Sequence, residues 1–238
     1  MKLKTTMAVL LLLCSGLSLA ETAQEAAIKK SVISNFREGV KVDSVAKTPY
    51  AGLFEVRVGS EIFYTDEKGQ YLFFGNIVEG RSGTDLTKQR TDELSKVKFS
   101  DLPLDLALKM VKGNGKRVFA TFEDPNCGPC KQVRKNLQEL NNVTVYTFMY
   151  NILAEDSADK SKNIWCSPDR NKAWDEWMLH AKAAPVAAHN CANPNEKVLE
   201  LGKKLRVNAT PTLIFTDGSR MPGAVDAKKI EEKLASIK

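Results

Sequence analysis

The tetrapeptide Cys127-Gly128-Pro129-Cys130 constrains this chain more than any other feature of its sequence. An apolar run, Val118 to Phe122, precedes it, and an amphipathic stretch follows it. This context predicts a strand, a tight turn and the start of a helix. A thiol at a helix N-terminus faces free backbone N–H groups and the positive end of the helix dipole, which favour the thiolate. The motif therefore predicts thiol–disulfide exchange, because the second thiol can attack a mixed disulfide made by the first.

Helical spacing predicts different roles for the two cysteines. Cys130 shares one helix face with Val133, Leu137 and Leu140, so we expect it to pack inward and to act as the resolving thiol. We expect Cys127 at the exposed end of the helix, where it would be the nucleophile.

The other residues of this helix are interpreted as support or as solvated surface. Gly128 and Pro129 fall in the first turn. The N–H groups of a first turn have no partner within the helix, so proline, which has no N–H, costs no hydrogen bond there. The basic side chains of Lys131, Arg134 and Lys135 could add positive potential, but charges on a helix surface contribute little. We therefore expect no redox role for them.

A threonine–proline pair supports the same interpretation. Thr210-Pro211 precedes a strand-like run, Thr212 to Phe215. Thioredoxin-like proteins carry a cis-proline before such a strand, packed beside their Cys-x-x-Cys pair, and a cis bond costs little before proline. An ordinary trans proline at a strand entrance is the alternative.

The first twenty residues are typical of a secretory signal peptide. They begin with Lys2 and Lys4, continue with an apolar core, and end in Ser18-Leu19-Ala20, where we expect cleavage. The core is too short to span a bilayer easily, and no later segment resembles a membrane span. Leu13 stands before Cys14 where a lipoprotein signal needs a small residue, so Cys14 is expected to leave with the signal.

The exported chain then contains four cysteines, and an even number in an oxidising compartment suggests pairing. Two of them form the redox motif, so we expect Cys166 and Cys191 to form a structural disulfide. A zinc site is the rival interpretation, but His180 and His189 lack the spacing of metal ligands. We expect no metal and no cofactor.

The first part of the mature chain, residues 21–80, predicts a small α+β domain. A helix over residues 21–36, with Ala26, Ala27, Val32, Ile33 and Phe36 as its apolar positions, precedes several short β-rich runs separated by turn signals. So small a unit has little core and exposes the edges of its sheet. Pairing with a second copy would cover both, and packing on its own catalytic domain is the alternative.

Residues 81–112 are interpreted as a linker, since the helix expected from Thr84 to Lys96 is polar on nearly all sides. Residues 113–238 then read as strand, helix and strand, followed by a helical insertion, the Thr212 strand and a closing helix. This order predicts an α/β domain. Trp174 and Trp177 of the insertion are interpreted as packing residues.

Charge excludes one class of partner. Removal of Lys2 and Lys4 with the signal lowers the formal net charge from +6 to +4, and the remaining charges are spread along the chain. This pattern lacks the basic patch with interleaved aromatic side chains that nucleic-acid binding requires. We therefore expect no nucleic-acid partner.

With these motifs in order, the chain resembles the DsbC/DsbG family of periplasmic disulfide isomerases. The resemblance covers nearly the whole mature chain and includes the segments 102–115 and 122–130. It implies a dimerisation domain followed by a thioredoxin-like fold with a helical insertion. It also implies a V-shaped homodimer whose apolar cleft holds misfolded exported proteins that contain disulfides.

The resemblance further implies particular residue roles. Cys127 would be the nucleophile, Cys130 the resolving thiol, and Thr210-Pro211 the cis-proline pair. Cys166 and Cys191 would form the structural disulfide, and a DsbD-type membrane reductase would keep the redox pair reduced.

Pro129 departs from the family pattern, which commonly has tyrosine at this position, and gives the chain the thioredoxin version of the motif. Thioredoxin also has a buried carboxylate six residues before its first cysteine, and Thr121 stands there in this chain. The main hypothesis is a periplasmic disulfide isomerase with chaperone activity. The alternatives are a dedicated periplasmic reductase and a holdase chaperone whose thiols are secondary.

Overall fold

The computed structural model describes residues 21–35 and 40–237. The expected signal peptide, residues 1–20, and Phe36 lie outside the described residues. The chain divides into two compact units, and the division falls after Asn76. Among the described residues no helix is both long and apolar enough to cross a membrane.

The first unit is a four-stranded antiparallel sheet with one helix. The sheet has the strand order β1-β2-β3-β4. The helix is α1 (Ala23–Asn35), and the strands are β1 (Ser44–Lys47), β2 (Phe54–Val58), β3 (Glu61–Thr65) and β4 (Leu72–Phe73). The α+β prediction for this unit is confirmed, although β1 was not anticipated from the sequence.

Helix α1 begins with a capping box. The hydroxyl of Thr22 accepts a bond from the N–H of Glu25 at 3.2 Å, and the Glu25 carboxylate accepts one from the N–H of Thr22 at 2.8 Å. Ile28 and Val32, one turn apart, bury the inner face of the helix. Ile33, another of the expected apolar positions, lies off this stripe and is 46% exposed.

The second unit contains a mixed five-stranded sheet of order β5-β7-β6-β8-β9, in which β6 and β7 are parallel and the other pairs are antiparallel. Its strands are β5 (Leu108–Lys112), β6 (Arg117–Glu123), β7 (Val143–Met149), β8 (Thr212–Phe215) and β9 (Arg220–Pro222). Its helices are α2 (Leu86–Leu94), α3 (Gly128–Asn136), α4 (Ser157–Trp165), α5 (Arg170–His180), α6 (Asn195–Lys204) and α7 (Ala227–Ser236). Short 3-10 turns, Phe99–Asp101 and Leu104–Leu106, precede β5.

The predicted strand–helix–strand unit is confirmed as β6, α3 and β7. Helix α3 ends at Asn136 and does not reach Leu140, which the expected helix face included, because the chain then closes tighter turns in which Gln138 N–H bonds Lys135 and Glu139 N–H bonds Asn136. Leu140 is nevertheless buried. Strand β5, at the end of the segment expected to be a linker, was not anticipated from the sequence and pairs with the edge of β7.

Alternation along β6 divides the core of this unit into two layers. Phe119 packs with Val133 of α3 and with its C-cap residue Leu137, whereas Ala120 and Phe122 belong to a second buried cluster on the opposite face. The odd-numbered residues of β6 therefore face the redox helix. This orientation places the next two odd-numbered side chains of the strand beneath the N-terminal end of α3.

Helix α2 runs from Leu86 to Leu94, inside the expected span of 84–96. The side chain of Asp85 caps it by accepting a bond from the N–H of Lys88 at 2.8 Å. It belongs to the second compact unit together with the rest of the expected linker.

Candidate functional site

The redox pair lies where β6 ends and α3 begins. Cys127 is the N-cap of α3, and its sulfur accepts a bond from the N–H of Cys130 at 3.0 Å. The two cysteines are joined as a disulfide, with their Cα atoms 5.1 Å apart. When this bond is reduced, the same N–H and the end of the helix dipole stabilise a thiolate on Cys127.

Both cysteines are buried in this bonded form. Cys127 is 1% exposed and Cys130 is 0% exposed, so the expectation that Cys127 lies at an exposed end is wrong for the disulfide state. The pair lies in a buried apolar cluster with Met149, Ile164 and Trp174, and the Thr210 carbonyl oxygen of the loop before β8 lies 3.5 Å from the Cys127 sulfur. Gly128 and Pro129 are the exposed residues of the motif.

The loop that covers the pair contains the Thr210–Pro211 peptide bond, which is cis. Strand β8 pairs with β6 through Phe122 and Thr212, and this register brings Pro211 beside the redox turn. The Thr210 hydroxyl is buried and has no hydrogen-bond partner among the described residues. The proline loop and the helix N-terminus therefore form two sides of one site.

A fully buried aspartate, Asp124, organises the turn before Cys127. Its carbonyl oxygen accepts a bond from the Cys127 N–H at 3.0 Å. Four donors bind its carboxylate: the backbone N–H groups of Asn126, Ile152 and Leu153 at 2.8, 2.8 and 3.0 Å, and the hydroxyl of Ser157 at 2.9 Å. These bonds attach the redox turn to the loop after β7 and to the start of α4.

A second buried carboxylate, Glu123, lies beneath the redox helix. It is 0% exposed, and its Oε1 atom accepts a bond from the Thr121 hydroxyl at 2.8 Å. Burial raises the pKa of Glu123 to about 7, although the positive charge of Arg134 and the Thr121 bond oppose that rise. The negative charge of Asp175 raises the pKa further.

Arg134 corrects an expectation from the sequence. It was interpreted as a solvated surface charge, but its side chain is 2% exposed and forms an ion pair with Asp175 of α5. Arg134 lies four residues after Cys130, on the packing face of α3, which explains its burial. The ion pair connects the redox helix to the helical insertion.

We predict that Glu123→Gln changes the pH dependence of stability. Since the folded-state pKa of Glu123 is raised from 4.5 to about 7, the wild type loses stability as pH rises through that interval, by up to about 3 kcal/mol. Glutamine keeps the Thr121 bond and cannot ionise. Urea denaturation should find the variant more stable than wild type at pH 8 and similar at pH 5. If the free energies of unfolding of the variant and of wild type differed by the same amount at pH 5 and at pH 8, this account would be contradicted.

The helical insertion contains the second cysteine pair. Cys166 is the C-cap of α4 and is joined as a disulfide to Cys191, with a Cα separation of 6.4 Å. Among the described residues no group of histidine, cysteine and acidic side chains could hold a metal ion.

The two tryptophans of the insertion lie in its packed interior. Trp174 is 1% exposed in the core, and Trp177 is partly buried there and donates its indole N–H to the Pro125 carbonyl at 2.7 Å. The packing interpretation of both tryptophans is confirmed.

Comparisons with known proteins agree with this architecture. Residues 19–88 match the family model of the disulfide bond isomerase protein N-terminal domain, and residues 104–238 match the thioredoxin-like domain. The chain is 44% identical to the probable thiol:disulfide interchange protein DsbC of Bordetella parapertussis, over 90% of this chain and 76% of that protein. It is 26% identical to DsbC of Escherichia coli K12, over 89% of this chain and 88% of that protein.

A solved structure gives the same result. The disulfide interchange protein from Neisseria gonorrhoeae is 40% identical, with a TM-score of 0.53 over 56% of this chain and 96% of that chain. Fold and site together define a thiol–disulfide oxidoreductase of the thioredoxin-like class, and the predicted fold class is confirmed. The chain belongs to the DsbC family of thiol:disulfide interchange proteins.

Proposed function

We propose that this chain is a periplasmic protein disulfide isomerase in which Cys127 is the nucleophile. The Cys127 thiolate attacks one sulfur of a non-native disulfide, forms a mixed disulfide and releases the other substrate sulfur as a thiolate. Another substrate thiolate then attacks the substrate sulfur of the mixed disulfide, which forms a new substrate disulfide and returns Cys127 as a thiolate. The observation that carries the proposal is the Cys127 sulfur at the N-terminus of α3, within reach of the cis-proline loop.

Cys130 resolves mixed disulfides that no substrate thiol has attacked. Its thiolate attacks the Cys127 sulfur, the substrate leaves reduced, and the enzyme is left with the Cys127–Cys130 disulfide. Continued turnover then needs an electron donor, and the family suggests a DsbD-type membrane reductase. Reactivation of a scrambled-disulfide substrate, with and without added reductant, tests the isomerase against the reductase alternative.

The structural disulfide and the cis-proline loop complete the proposed site. Cys166 and Cys191 bridge the insertion beside α4, and Thr210-Pro211 supports the redox pair together with Gly128 and Pro129. Export through the cleaved signal, residues 1–20, would bring the chain to its oxidising compartment and to its misfolded substrates.

The first unit supports the proposal of a homodimer through residues 21–80. Tyr71, Phe73 and Phe74 around the short edge strand β4 are 68%, 48% and 71% exposed. Exposed aromatic side chains beside an open sheet edge are typical of an interface. A dimer would also create the apolar surface that chaperone activity requires.

We predict that Phe73→Lys weakens this dimer, because it places a charge in the apolar patch at the sheet edge. Light scattering should give twice the monomer mass for the mature wild type and a lower mass for the variant at the same concentration. Val111→Lys, at a position of the second unit that is 54% exposed against 48% for Phe73, should remain dimeric. A monomeric wild type would favour the reductase alternative.

We predict that Pro129→Tyr makes the enzyme more oxidising. Pro129 lies in the first turn of α3 and has no N–H, so the neighbouring Cys130 N–H is the donor that reaches the Cys127 sulfur. Tyrosine restores a donor, stabilises the thiolate and raises the reduction potential, with about 30 mV for each tenfold change in equilibrium. Equilibration with glutathione buffers measures the difference, and an unchanged or lower potential would refute the argument.

The holdase alternative is separated from the isomerase by replacing both Cys127 and Cys130 with serine. A chaperone whose thiols are secondary would still suppress the aggregation of a substrate and would still support its recovery. An isomerase would lose the recovery of scrambled substrates.

A further inference from the structure

Two exposed apolar side chains lie at the same edge of the sheet as the redox turn. Ile152 and Leu153 follow β7 and are 38% and 54% exposed. Strands β6 and β7 are parallel and pair Glu123 with Met149, so the segments that follow both strands meet at one edge. Ile152 and Leu153, here called the apolar lip, therefore adjoin the turn that carries Cys127.

Asp124 holds the lip in place through the backbone. One carboxylate oxygen, Oδ2, accepts the N–H groups of both lip residues, at 2.8 and 3.0 Å, while the Asp124 carbonyl accepts the N–H of Cys127 at 3.0 Å. The last bond closes a β-turn, whose ends lie within about 7 Å of each other. A single buried residue thus connects the backbone of the lip to the backbone of the nucleophile.

The other carboxylate oxygen anchors the same loop from its far end. Oδ1 accepts the Ser157 hydroxyl at 2.9 Å, and the Asn126 side-chain amide donates to that hydroxyl at 2.9 Å and to Asp156 at 2.8 Å. The two lip side chains consequently stay exposed on a loop whose backbone is bonded at both ends. Two exposed apolar side chains on a loop bonded to the redox turn offer a small apolar surface that a substrate held on Cys127 can contact.

The chemistry of the site determines what occupies this surface. A substrate must be covalently bonded to Cys127 during exchange, so the residues that flank its cysteine are tethered at the redox turn, to which Asp124 bonds the backbone of the lip. Tethering gives those residues a high effective concentration, and weak apolar contacts then suffice.

We propose that Ile152 and Leu153 select substrates whose disulfide cysteine is flanked by apolar side chains, an inference that rests on the proposed function. Asp124 is the positioning residue of this surface. Flanking residues of this kind are buried in native proteins and exposed in misfolded ones, so the lip favours non-native disulfides. The selection acts on the attack of Cys127 on a peptide disulfide and leaves the exchange chemistry itself unchanged.

The test uses the full mature protein, reduced, and two peptides that differ only beside their single cysteine, which is flanked by leucine in one and by serine in the other. Each peptide carries a chromophoric aromatic thiol as a mixed disulfide, and release of that thiol gives the second-order rate. The wild type should react about fivefold faster with the leucine peptide, as partial burial of a leucine side chain predicts. Ile152→Ser combined with Leu153→Ser should bring the ratio of rates close to one.

Val111→Ser is the matched control, because Val111 has the same 54% exposure as Leu153 but pairs with Thr144 near the opposite end of β7. It should keep the wild-type ratio. Hydroxyethyl disulfide, which has no flanking residues, should react equally with all three proteins. A ratio near one in wild type, or an unchanged ratio in the lip variant, would overturn the proposal. Failure of every disulfide to react would instead refute the proposed function.

Asp124→Asn tests the positioning role separately. Asparagine keeps the shape but has one accepting oxygen, so it cannot hold all four donors. Hydrogen exchange at the amides of Ile152 and Leu153 should accelerate and the leucine-to-serine ratio should fall. Accelerated exchange with an unchanged ratio would show that the fixed lip is not needed for selection.

Discussion

Cys127→Ser should abolish disulfide exchange with protein substrates, while Cys130→Ser should retain attack and accumulate a mixed disulfide. Serine cannot form a disulfide, and Cys127 is the sulfur at the helix N-terminus and beside the Thr210 carbonyl. Loss of Cys130 removes the internal route by which a trapped substrate leaves. Non-reducing electrophoresis and peptide mapping would identify the cysteine that carries the substrate.

The two variants have a built-in structural control. Both lose the Cys127–Cys130 disulfide, so an effect of that loss on folding is common to them. Only the Cys130→Ser protein should form adducts. Adducts that map to Cys130 in the Cys127→Ser protein would reverse the assignment of nucleophile and resolving thiol.

Asp175→Asn should lower the free energy of unfolding by about 3 kcal/mol at pH 5, because it leaves the buried Arg134 guanidinium without its partner. At pH 8 the loss should be smaller, since Glu123, whose pKa lies at about 7, ionises and faces Arg134. Urea denaturation of the variant and of wild type at both pH values measures the two losses.

Glu176→Gln is the matched control for this prediction. Glu176 is the next residue of α5, and its partner Lys182 is 67% exposed, so this ion pair should contribute at most about 1 kcal/mol at either pH. The buried charge cluster would be contradicted if Asp175→Asn lowered the free energy of unfolding by no more than Glu176→Gln does. It would also be contradicted if the decrease for Asp175→Asn were larger at pH 8 than at pH 5.

The sequence predicted those parts of the site whose structure is local. The redox motif and its helix follow from the residues themselves, because a turn and a helix N-terminus are specified within ten positions. The α/β order around the motif was predictable for the same reason. Strands β1 and β5 were not anticipated, since each is a short strand whose pairing partner lies elsewhere along the chain.

The buried polar residues escaped prediction because tertiary neighbours determine their environment. Asp124 receives donors from residues about thirty positions away, and no local pattern announces them. The sequence did contain a pattern that indicates burial for two other polar residues, Glu123 and Arg134. Glu123 continues the odd-numbered face of β6 that begins with Phe119, and Arg134 stands one helical turn after Cys130.

The exposure of Cys127 illustrates a further limit. A helix N-terminus predicts an accessible thiol, but the loop that covers it comes from residues 210 and 211, more than eighty positions away. In the disulfide state the two sulfur atoms are therefore buried, whereas Gly128 and Pro129 are exposed. In the proposed mechanism, reaction with a substrate begins from the reduced state of the pair.

Reactivation of a scrambled-disulfide substrate tests the central claim most directly. The reduced mature enzyme is supplied in small molar amount, without further reductant, and recovery of substrate activity is followed. The account predicts that each enzyme molecule restores many substrate molecules, because shuffling through Cys127 consumes no electrons. Recovery that stops after one equivalent of enzyme and resumes only when reductant is added would contradict the isomerase and identify a reductase.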